Sequence, residues 1–308
     1  MTSTTAVVLL AMGGPDCLEN VEPYLIDVRG GRPTPPEIVE EVKERYRATG
    51  GRSPVLGITR SLAAKLEALR PGWKVVVGLR HWQPRIAEAW AEAVASGAGR
   101  AVGIPMAPHN SAATVDRYAE LLADARRASG AHIPLGIVTS WATHTALVDA
   151  LAGTVLTGVA RFGDDERAGV AVLFTAHSLP RRVADAGDPY PDEVAATVRA
   201  VAERLGGLEG AGRPWRFAYQ SQGRTADPWL GPTVPETLAD MAADGCRSVL
   251  VAPVGFLSDH VEINYDVDIE FKTLAGQLGI HLERTPMLND SDALVAVLAA
   301  LVDEQLAR

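Results

Sequence analysis

The feature of this chain that most restricts its fold is a regular alternation of short β-rich runs with longer amphipathic stretches. The β-rich runs predict strands at Ala6–Met12, Lys74–Gly78, Ala101–Met106, Pro134–Thr139, Val170–Thr175, Trp215–Tyr219 and Ser248–Val254, with a weaker candidate at Gly279–Glu283. Stretches with helical spacing lie between them, for example at Pro36–Arg47, Thr59–Leu69, Ala112–Ala128, Pro191–Leu205 and Val234–Ala243. Because strands that alternate with helices form parallel sheets covered on both faces, the sequence predicts an α/β fold.

The predicted strands fall into two sets of four, separated by Ala152–Arg161. We therefore expect two similar lobes, residues 1–152 and residues 153–308. Two segments repeat across this division, since IPMAPHNS (104–111) and VAPVGFLSDH (251–260) are each a strand followed by a turn with a histidine. Parallel sheets bind ligands beyond the carboxyl ends of their strands, so the cleft between the lobes is the expected binding site.

Composition and charge exclude several classes of function. The 308 residues are 47% hydrophobic and 22% charged, which is typical of a globular protein. A net charge of −9 without a long basic tract argues against a nucleic-acid partner. The longest apolar run has ten residues and is too short to span a bilayer. Because no basic leader precedes AVVLLAM, we expect a cytoplasmic protein without a transmembrane segment.

Several common site motifs are missing from the sequence. Cys17 and Cys246 are far apart, which predicts reduced thiols and excludes a four-cysteine iron–sulfur site. The chain has no Walker loop, no G-x-G-x-x-G, no G-x-S-x-G and no zinc motif built on paired histidines. Hydrolase, nucleotide and structural-zinc functions therefore lack their usual signals.

A row of carboxylates follows the apolar run that ends at Gly255. Glu262, Asp266 and Glu270 recur every four residues, so on an α-helix they share one face and drift about 40° per step. Such a row beyond a strand end resembles a path for a cation or a proton. The alternative is a solvated helix face whose first turn is capped by Asp259 and Glu262. This segment alone does not choose between the two.

Four histidines lie at strand ends or in the repeated turns. His177 follows the run AVLFTA, and His81 closes an earlier strand. His109 and His260 occupy the two repeated turns. A lone histidine at such a place is more often structural than catalytic, so the pattern nominates His177 without deciding its role.

The segment from Arg29 to Arg52 is basic in an otherwise acidic protein. Six cationic residues stand against four acids there, and guanidinium groups bind carboxylates through two parallel hydrogen bonds. Trp229, in DPWLGP, would supply an apolar wall. Together these residues suit a large, flat, acidic ligand, although a solvated helix face with pairs such as Glu41–Arg45 explains the segment equally well.

The stretches described so far resemble those of ferrochelatases along the whole chain. The matching segments are LLAMGGP (9–15), ERYRATGGRSP (44–54), GLRHWQP (78–84), PMAPHNS (105–111), FTAHSLP (174–180), GDPYPDEV (187–194), DPWLGP (227–232) and PVGFLSDHVEINYDVDIE (253–270). The resemblance implies two Rossmann-like lobes with a porphyrin cleft between them. It also implies insertion of Fe²⁺ into a porphyrin with release of two protons, as a step of haem biosynthesis.

The resemblance assigns roles to individual residues. His177 matches the family's active-site histidine, and Glu262 matches its partner acid across the porphyrin plane. Asp266 and Glu270 match the acidic positions behind that glutamate, so these four side chains would handle the metal. In the family this segment contains a π-type turn, which would alter the straight α-helical geometry assumed above.

The resemblance also bears on which porphyrin is used. The short segment after Val28 and the presence of Arg45 look like the branch that uses coproporphyrin III. Met12 looks instead like the protoporphyrin IX branch, because the other branch commonly has a tyrosine there. We expect coproporphyrin III to be preferred, with protoporphyrin IX as the alternative. The porphyrin-binding residues implied are Met12, Arg29, Arg32, Arg45, Ser53 and Trp229.

Two other functions stay open at this point. One is insertion of cobalt into a corrinoid precursor, and the other is a non-catalytic tetrapyrrole-binding or haem-handling protein. For a ferrochelatase we expect Fe²⁺ as a substrate, no permanently bound cofactor and no iron–sulfur cluster. We also expect a monomer that makes transient contact with neighbouring haem-pathway enzymes.

Overall fold

The computed structural model describes residues 4–206, 214–223 and 227–308, and its strands form two parallel sheets of four. The first sheet contains β1 (Thr5–Ala11), β2 (Trp73–Leu79), β3 (Arg100–Pro105) and β4 (Leu135–Ile137). The second contains β5 (Ala171–His177), β6 (Trp215–Gln220), β7 (Ser248–Ala252) and β8 (His281–Arg284). The strand orders, β2-β1-β3-β4 and β6-β5-β7-β8, are equivalent. The α/β class, the two similar sheets and all eight predicted strands are thus confirmed.

The central strands show why these sheets form. β1 is TAVVLLA and is buried at every position, and β5 is AVLFTAH and is buried except at its last residue, His177. Continuous apolar runs of this kind are typical of parallel strands covered on both faces. A half-exposed polar residue that ends such a strand lies at the edge of the sheet where α/β proteins bind ligands.

Helices connect and cover the strands. They are α1 (Val21–Val28), α2 (Pro36–Ala48), α3 (Val55–Leu69), α4 (Ile86–Ala95), α5 (Val115–Ser129), α6 (Thr145–Val159), α7 (Asp164–Arg167), α8 (Arg181–Asp185), α9 (Tyr190–Arg204), α10 (Val234–Ala243), α11 (Lys272–Gln277) and α12 (Asp292–Leu306), with a 3₁₀ turn at Leu18–Asn20 and a π-helix at Ile263–Phe271. The five helical stretches expected from the sequence are all present. Among the helices in the described ranges, none is long and apolar enough to cross a bilayer.

Two helices cross between the halves of the chain. α6, which follows the first sheet, packs against α9 and β7 of the second half. α12, at the end of the chain, packs against α3, β3 and β4 of the first half. One large apolar cluster therefore contains residues from both sheets. The division of the chain at residue 152 falls inside α6, so the boundary between the lobes stays a prediction, while the sheets themselves do separate there.

The acidic segment is not the straight α-helix that the four-residue spacing suggested. Residues 263–271 form a π-helix, in which each backbone N–H bonds to a carbonyl five residues earlier. The expected capping role of Asp259 is also wrong, because its side chain accepts a hydrogen bond from Asn289 (2.6 Å) and lies 3.2 Å from Arg284. Such π-helical turns often occur at functional sites.

Candidate active site

His177 and Glu262 lie side by side at the carboxyl edge of the second sheet. The Nε2 atom of His177 is 3.7 Å from the Oε2 atom of Glu262, and their side chains are 37% and 38% exposed. His177 ends β5, and Glu262 directly precedes the π-helix that follows β7. A base and a carboxylate that are both open to solvent at this edge can exchange protons with a bound ligand.

Gly255 allows these two segments to come close together. A Cβ atom at this position would lie 2.6 Å from the Cβ of Ala176 and 2.7 Å from its Cα, distances that no side chain tolerates. The backbone N–H of Gly255 donates a hydrogen bond to the carbonyl of Thr175 in β5 (3.1 Å). The missing side chain therefore lets the chain after β7 pass directly against the strand that presents His177.

Backbone carbonyls set the orientation of two histidine rings. Nδ1 of His177 is 2.5 Å from the carbonyl oxygen of Ser178, and Nδ1 of His260 is 3.0 Å from that of Ser258. Since a carbonyl only accepts, each Nδ1 carries the proton and each Nε2 is left with a free lone pair when the ring is neutral. Nε2 of His260 lies 3.9 Å from Oε2 of Glu262, so the carboxylate has an imidazole on either side.

Buried and aromatic side chains hold His177 in place. The hydroxyl of Tyr190 donates a hydrogen bond to the His177 carbonyl (2.9 Å). The rings of Trp229 and Phe256 each lie 6.4 Å from the imidazole, measured between ring centroids. Trp229, expected as an apolar wall, is thus a neighbour of the candidate base. Two aromatic side chains therefore lie close to the imidazole of His177.

The next carboxylate, Asp266, is buried and joined to the first half of the chain. Its Oδ1 accepts a hydrogen bond from Nη1 of Arg45 in α2 (3.0 Å), and its Oδ2 accepts one from the Ser221 hydroxyl (3.0 Å). Burial and the charge of Glu262 raise the pKa of Asp266 to about 6, although Arg45 and Ser221 oppose the shift. Glu270, further along the π-helix, lies 3.7 Å from Nη2 of Arg45.

The other residues expected to bind porphyrin belong to the first half of the chain. Met12, directly after β1, is 48% exposed. Arg29 and Arg32 are exposed, and among the described residues no acid forms an ion pair with either. Ser53 lies against Gly14, where a Cβ atom would be only 2.5 Å from the Ser53 hydroxyl. Met12 and Ser53 therefore both lie next to the loop that follows β1.

His109 and His81 are placed differently from His177. His109 is 2% exposed, its Nε2 lies 2.9 Å from the Thr197 hydroxyl, and burial lowers its pKa to about 4. His81 is also buried, with Nδ1 2.8 Å from Asp27, which in turn binds Arg85. Both are structural histidines held by partners. Within the parts of the chain that the structure describes, no three His, Cys, Asp or Glu side chains form a group that could hold a metal.

Comparison with known proteins agrees with this geometry. The family model for ferrochelatases matches residues 4–306. A ferrochelatase of Herpetosiphon aurantiacus is 42% identical over 310 residues, which cover 99% of this chain and 100% of that protein. The chain belongs to the ferrochelatase family. A coproporphyrin III ferrochelatase of Bacillus subtilis is 33% identical over 309 residues and 98% of each chain.

The fold is shared with more distant chelatases as well. The solved structure of SirB from Bacillus subtilis with Fe³⁺ superposes with a TM-score of 0.59 at 13% identity, over 98% of this chain and 95% of that chain. At this identity the likeness shows only that the two-sheet architecture is common to both. It supports the α/β arrangement of this ferrochelatase and carries no information about its substrate.

The spacing of His177 and Glu262 bears on the expectation that Glu262 acts across the porphyrin plane. An aromatic ring needs about 3.5 Å of contact distance on each face, so a macrocycle between two groups requires about 7 Å. Nε2 of His177 and Oε2 of Glu262 are only 3.7 Å apart, so the two side chains as they stand leave no room for a macrocycle between them.

The sequence did not indicate two side chains that interact electrostatically with Glu262. His260 was noticed only as part of a repeated turn, and no sequence spacing placed it beside this carboxylate. Tyr46 is 3% exposed, and burial together with the charge of Glu262 raises the pKa of its phenol well above the usual range. Its place within ERYRATGGRSP, next to Arg45, was the available signal.

Proposed function

We propose that this ferrochelatase inserts Fe²⁺ into coproporphyrin III and releases two protons in the haem-synthesis pathway. The observation that carries the proposal is the His177–Glu262 pair, 3.7 Å apart and exposed at the carboxyl edge of the second sheet. Insertion requires that two pyrrole N–H protons leave and that the ion loses bound water. A neutral imidazole and a carboxylate on one face of the ring can do both.

His177 is the group we assign to the first proton. Its Nδ1 is held by the Ser178 carbonyl, so its Nε2 presents a lone pair to a pyrrole N–H above it. Glu262 lies within 4 Å of both His177 and His260 and can pass the proton from one to the other or to solvent. The same lone pairs can replace water on an incoming ion before the ring nitrogens capture it.

The preference for coproporphyrin III rests on the first half of the chain. Coproporphyrin carries four propionates and protoporphyrin two, so two further carboxylates need partners. Arg29 and Arg32 are exposed and, among the described residues, not engaged by an acid, while Ser53 supplies a hydroxyl. Hydrogen bonds to charged groups contribute about 1.5–3 kcal/mol each, enough to select between two rings of equal size.

The alternative substrate is protoporphyrin IX, and Met12 is the residue that favours it. Met12 would contact the face of the ring rather than its propionates, and the propionates are what differ between the two porphyrins. We therefore base the choice of coproporphyrin III on the arginines. A cytoplasmic location, a monomeric state, transient contact with pathway enzymes and the absence of a resident cofactor stay predictions from the sequence. The two cysteines of the chain, Cys17 and Cys246, are both free thiols in the structure.

An anaerobic insertion assay with Fe²⁺ and each porphyrin tests the proposal. We expect kcat/KM to be about ten-fold or more higher for coproporphyrin III. Arg29→Leu should reduce this ratio by a similar factor, whereas Arg47→Leu should leave it unchanged because Arg47 pairs with Glu40 and Glu44. Equal or better use of protoporphyrin IX would contradict the preference. Binding of porphyrin without any insertion would favour a non-catalytic carrier instead.

A further inference from the structure

Two residues in the second half of the chain have a left-handed backbone although they are not glycines. Among the described residues, Ser221 (φ = 58°) and Asn289 (φ = 47°) are the only two of this kind. Asn289 bonds through its side chain to Asp259 (2.6 Å), and Ser221 bonds through its hydroxyl to Asp266 (3.0 Å). Such residues are uncommon and persist where the surrounding contacts hold them in place. Both contact the segment that carries Glu262, one before that residue and one after it.

Asn289 binds the turn before Glu262 through three hydrogen bonds. Its backbone N–H donates to the carbonyl of Leu257 (2.9 Å). Its side-chain oxygen accepts from the backbone N–H of Asp259 (2.8 Å), and its side-chain nitrogen donates to the carboxylate of the same residue (2.6 Å). Because a carboxylate only accepts and a backbone N–H only donates, this contact requires both the oxygen and the nitrogen of an amide.

The groups that Asn289 binds flank the carbonyl that orients His260. Leu257 and Asp259 are the neighbours of Ser258 in the chain. The Ser258 carbonyl lies 3.0 Å from Nδ1 of His260, whose Nε2 lies 3.9 Å from Oε2 of Glu262. A shift of this turn would therefore move the imidazole relative to the carboxylate.

The loop that carries Asn289 is itself fixed to other elements. The side chain of Asp290 accepts a hydrogen bond from the Ser61 hydroxyl in α3 (2.6 Å), and its carbonyl accepts one from Lys65 (2.5 Å). Ser291 caps α12 with its hydroxyl. Asn289 is therefore held from the side of α3 and α12, and the turn at 257–259 is bonded to a firmly attached loop.

We propose that Asn289 is a positioning residue for metal insertion, an inference that rests on the role proposed above for Glu262. Its side chain holds the turn at 257–259 so that His260 and Glu262 are already in place when the porphyrin arrives. A misplacement of about 1 Å can reduce the rate of a reaction by about 10²-fold. Because Asn289 acts through Asp259 and not on the porphyrin, its loss should lower kcat and leave the KM for porphyrin nearly unchanged.

An exchange of the two partners tests the proposal. Asn289→Asp alone places two carboxylates against each other and should lower the kcat for Fe²⁺ insertion by about ten-fold or more, with the porphyrin KM within about two-fold of wild type. Adding Asp259→Asn pairs an amide with a carboxylate again, and an amide oxygen can still face Arg284, which lies 3.2 Å from Oδ1 of Asp259. The double variant should therefore recover a kcat within about three-fold of wild type. Each kcat is measured below the Tm of the variant concerned.

Asn289→Gly and Ser291→Ala separate positioning from stability. Glycine adopts the left-handed backbone without strain, so Asn289→Gly reports the loss of the side chain alone, even if Asn289→Asp fails to fold. We expect its kcat to fall by about ten-fold or more. Ser291→Ala, two residues along the same loop, is the matched control. It removes the cap of α12 and should lower the Tm while kcat stays unchanged.

Two results would overturn the proposal. One is a kcat near wild type in Asn289→Gly, and the other is a double variant that regains the wild-type Tm without regaining kcat. Failure of the proposed function would appear separately, as no Fe²⁺ insertion by the wild-type protein into either porphyrin or as full turnover in Glu262→Gln.

Discussion

Two turns with similar sequence patterns have different roles in the two halves of this protein. The turn after β3 carries His109, which is 2% exposed and bonded to Thr197 of the other half. The turn after β7 carries His260, whose side chain is 21% exposed and whose Nε2 lies 3.9 Å from Glu262. The first histidine joins the two halves of the chain, and the second faces the site.

The two histidines differ in role because they contact different groups, and not because their own segments differ. Thr197 donates its hydroxyl proton to the carbonyl of Ala142 (2.8 Å), so it can only accept from His109, whose Nε2 must carry a proton. His260 instead donates through Nδ1 to its own turn, which leaves Nε2 free. A strand followed by a histidine therefore does not by itself assign chemistry to the residue.

The largest effect should come from His177→Ala, which tests whether chemistry belongs to the second half. We expect Fe²⁺ insertion to fall by about 10²-fold or more, because the base that we propose as the acceptor of the first proton is lost. Porphyrin binding, measured by fluorescence quenching, should change little since the walls and arginines remain. More than a tenth of wild-type turnover in this variant would remove His177 from the chemistry.

Among the carboxylates of the acidic row, we expect Glu262 to be required for turnover and Glu270 only to support it. Glu262→Gln should reduce kcat by about 10²-fold, because no carboxylate would then lie between the two imidazoles. Glu270→Gln should reduce turnover by less than ten-fold and act mainly by raising the KM for Fe²⁺. Steady-state kinetics with varied Fe²⁺ distinguish the two. If both variants matched wild type, the row would be only a solvated helix face.

His109→Gln and His260→Gln test the comparison of the two turns most directly. The first should reduce the free energy of unfolding by about 1–3 kcal/mol, since a buried polar contact between the halves is disturbed. Its turnover, measured below the melting temperature, should remain near wild type. His260→Gln should show the reverse, with lower turnover and an unchanged Tm. If His109→Gln instead lowered turnover and His260→Gln lowered the Tm, the roles assigned to the two turns would be wrong.

The last prediction concerns Asp266 and the pH dependence of stability. Its pKa is raised in the folded protein to about 6, so the folded state holds this proton more tightly than the unfolded chain. Stability is lost as pH rises from about 4 to about 6 and stays reduced above that range, by up to about 3 kcal/mol. Asp266→Asn should raise the Tm at pH 8 and have little effect near pH 4. An equal change in Tm at both pH values would show that the pKa of Asp266 is not raised in the folded protein.

The strands and several of the helices could be predicted because their signal is local. Runs such as TAVVLLA in β1 alternate with amphipathic stretches, and hydrophobic periodicity is enough to find both. His177 could be nominated because it ends such a run. Periodicity could not show that 263–271 is a π-helix, because a four-residue spacing of side chains suits more than one helix type.

Contacts between distant segments could not be predicted in the same way. Arg45 and Asp266 are 221 residues apart, and no sequence pattern in either segment indicates that the two are in contact. The 3.7 Å separation of His177 and Glu262 depends on the close approach at Gly255, which only the folded chain reveals. Charge and residue type nominated the candidate side chains, and the packing of the two halves decided what each one contacts.

The proposed insertion step requires His177 and Glu262 to act together from one face of the macrocycle. A crystal structure of the protein with metal-free coproporphyrin III tests this directly. We predict that Nε2 of His177 and Oε2 of Glu262 lie on the same side of the ring, still about as close as the 3.7 Å seen here. A ring bound between the two side chains would contradict the account.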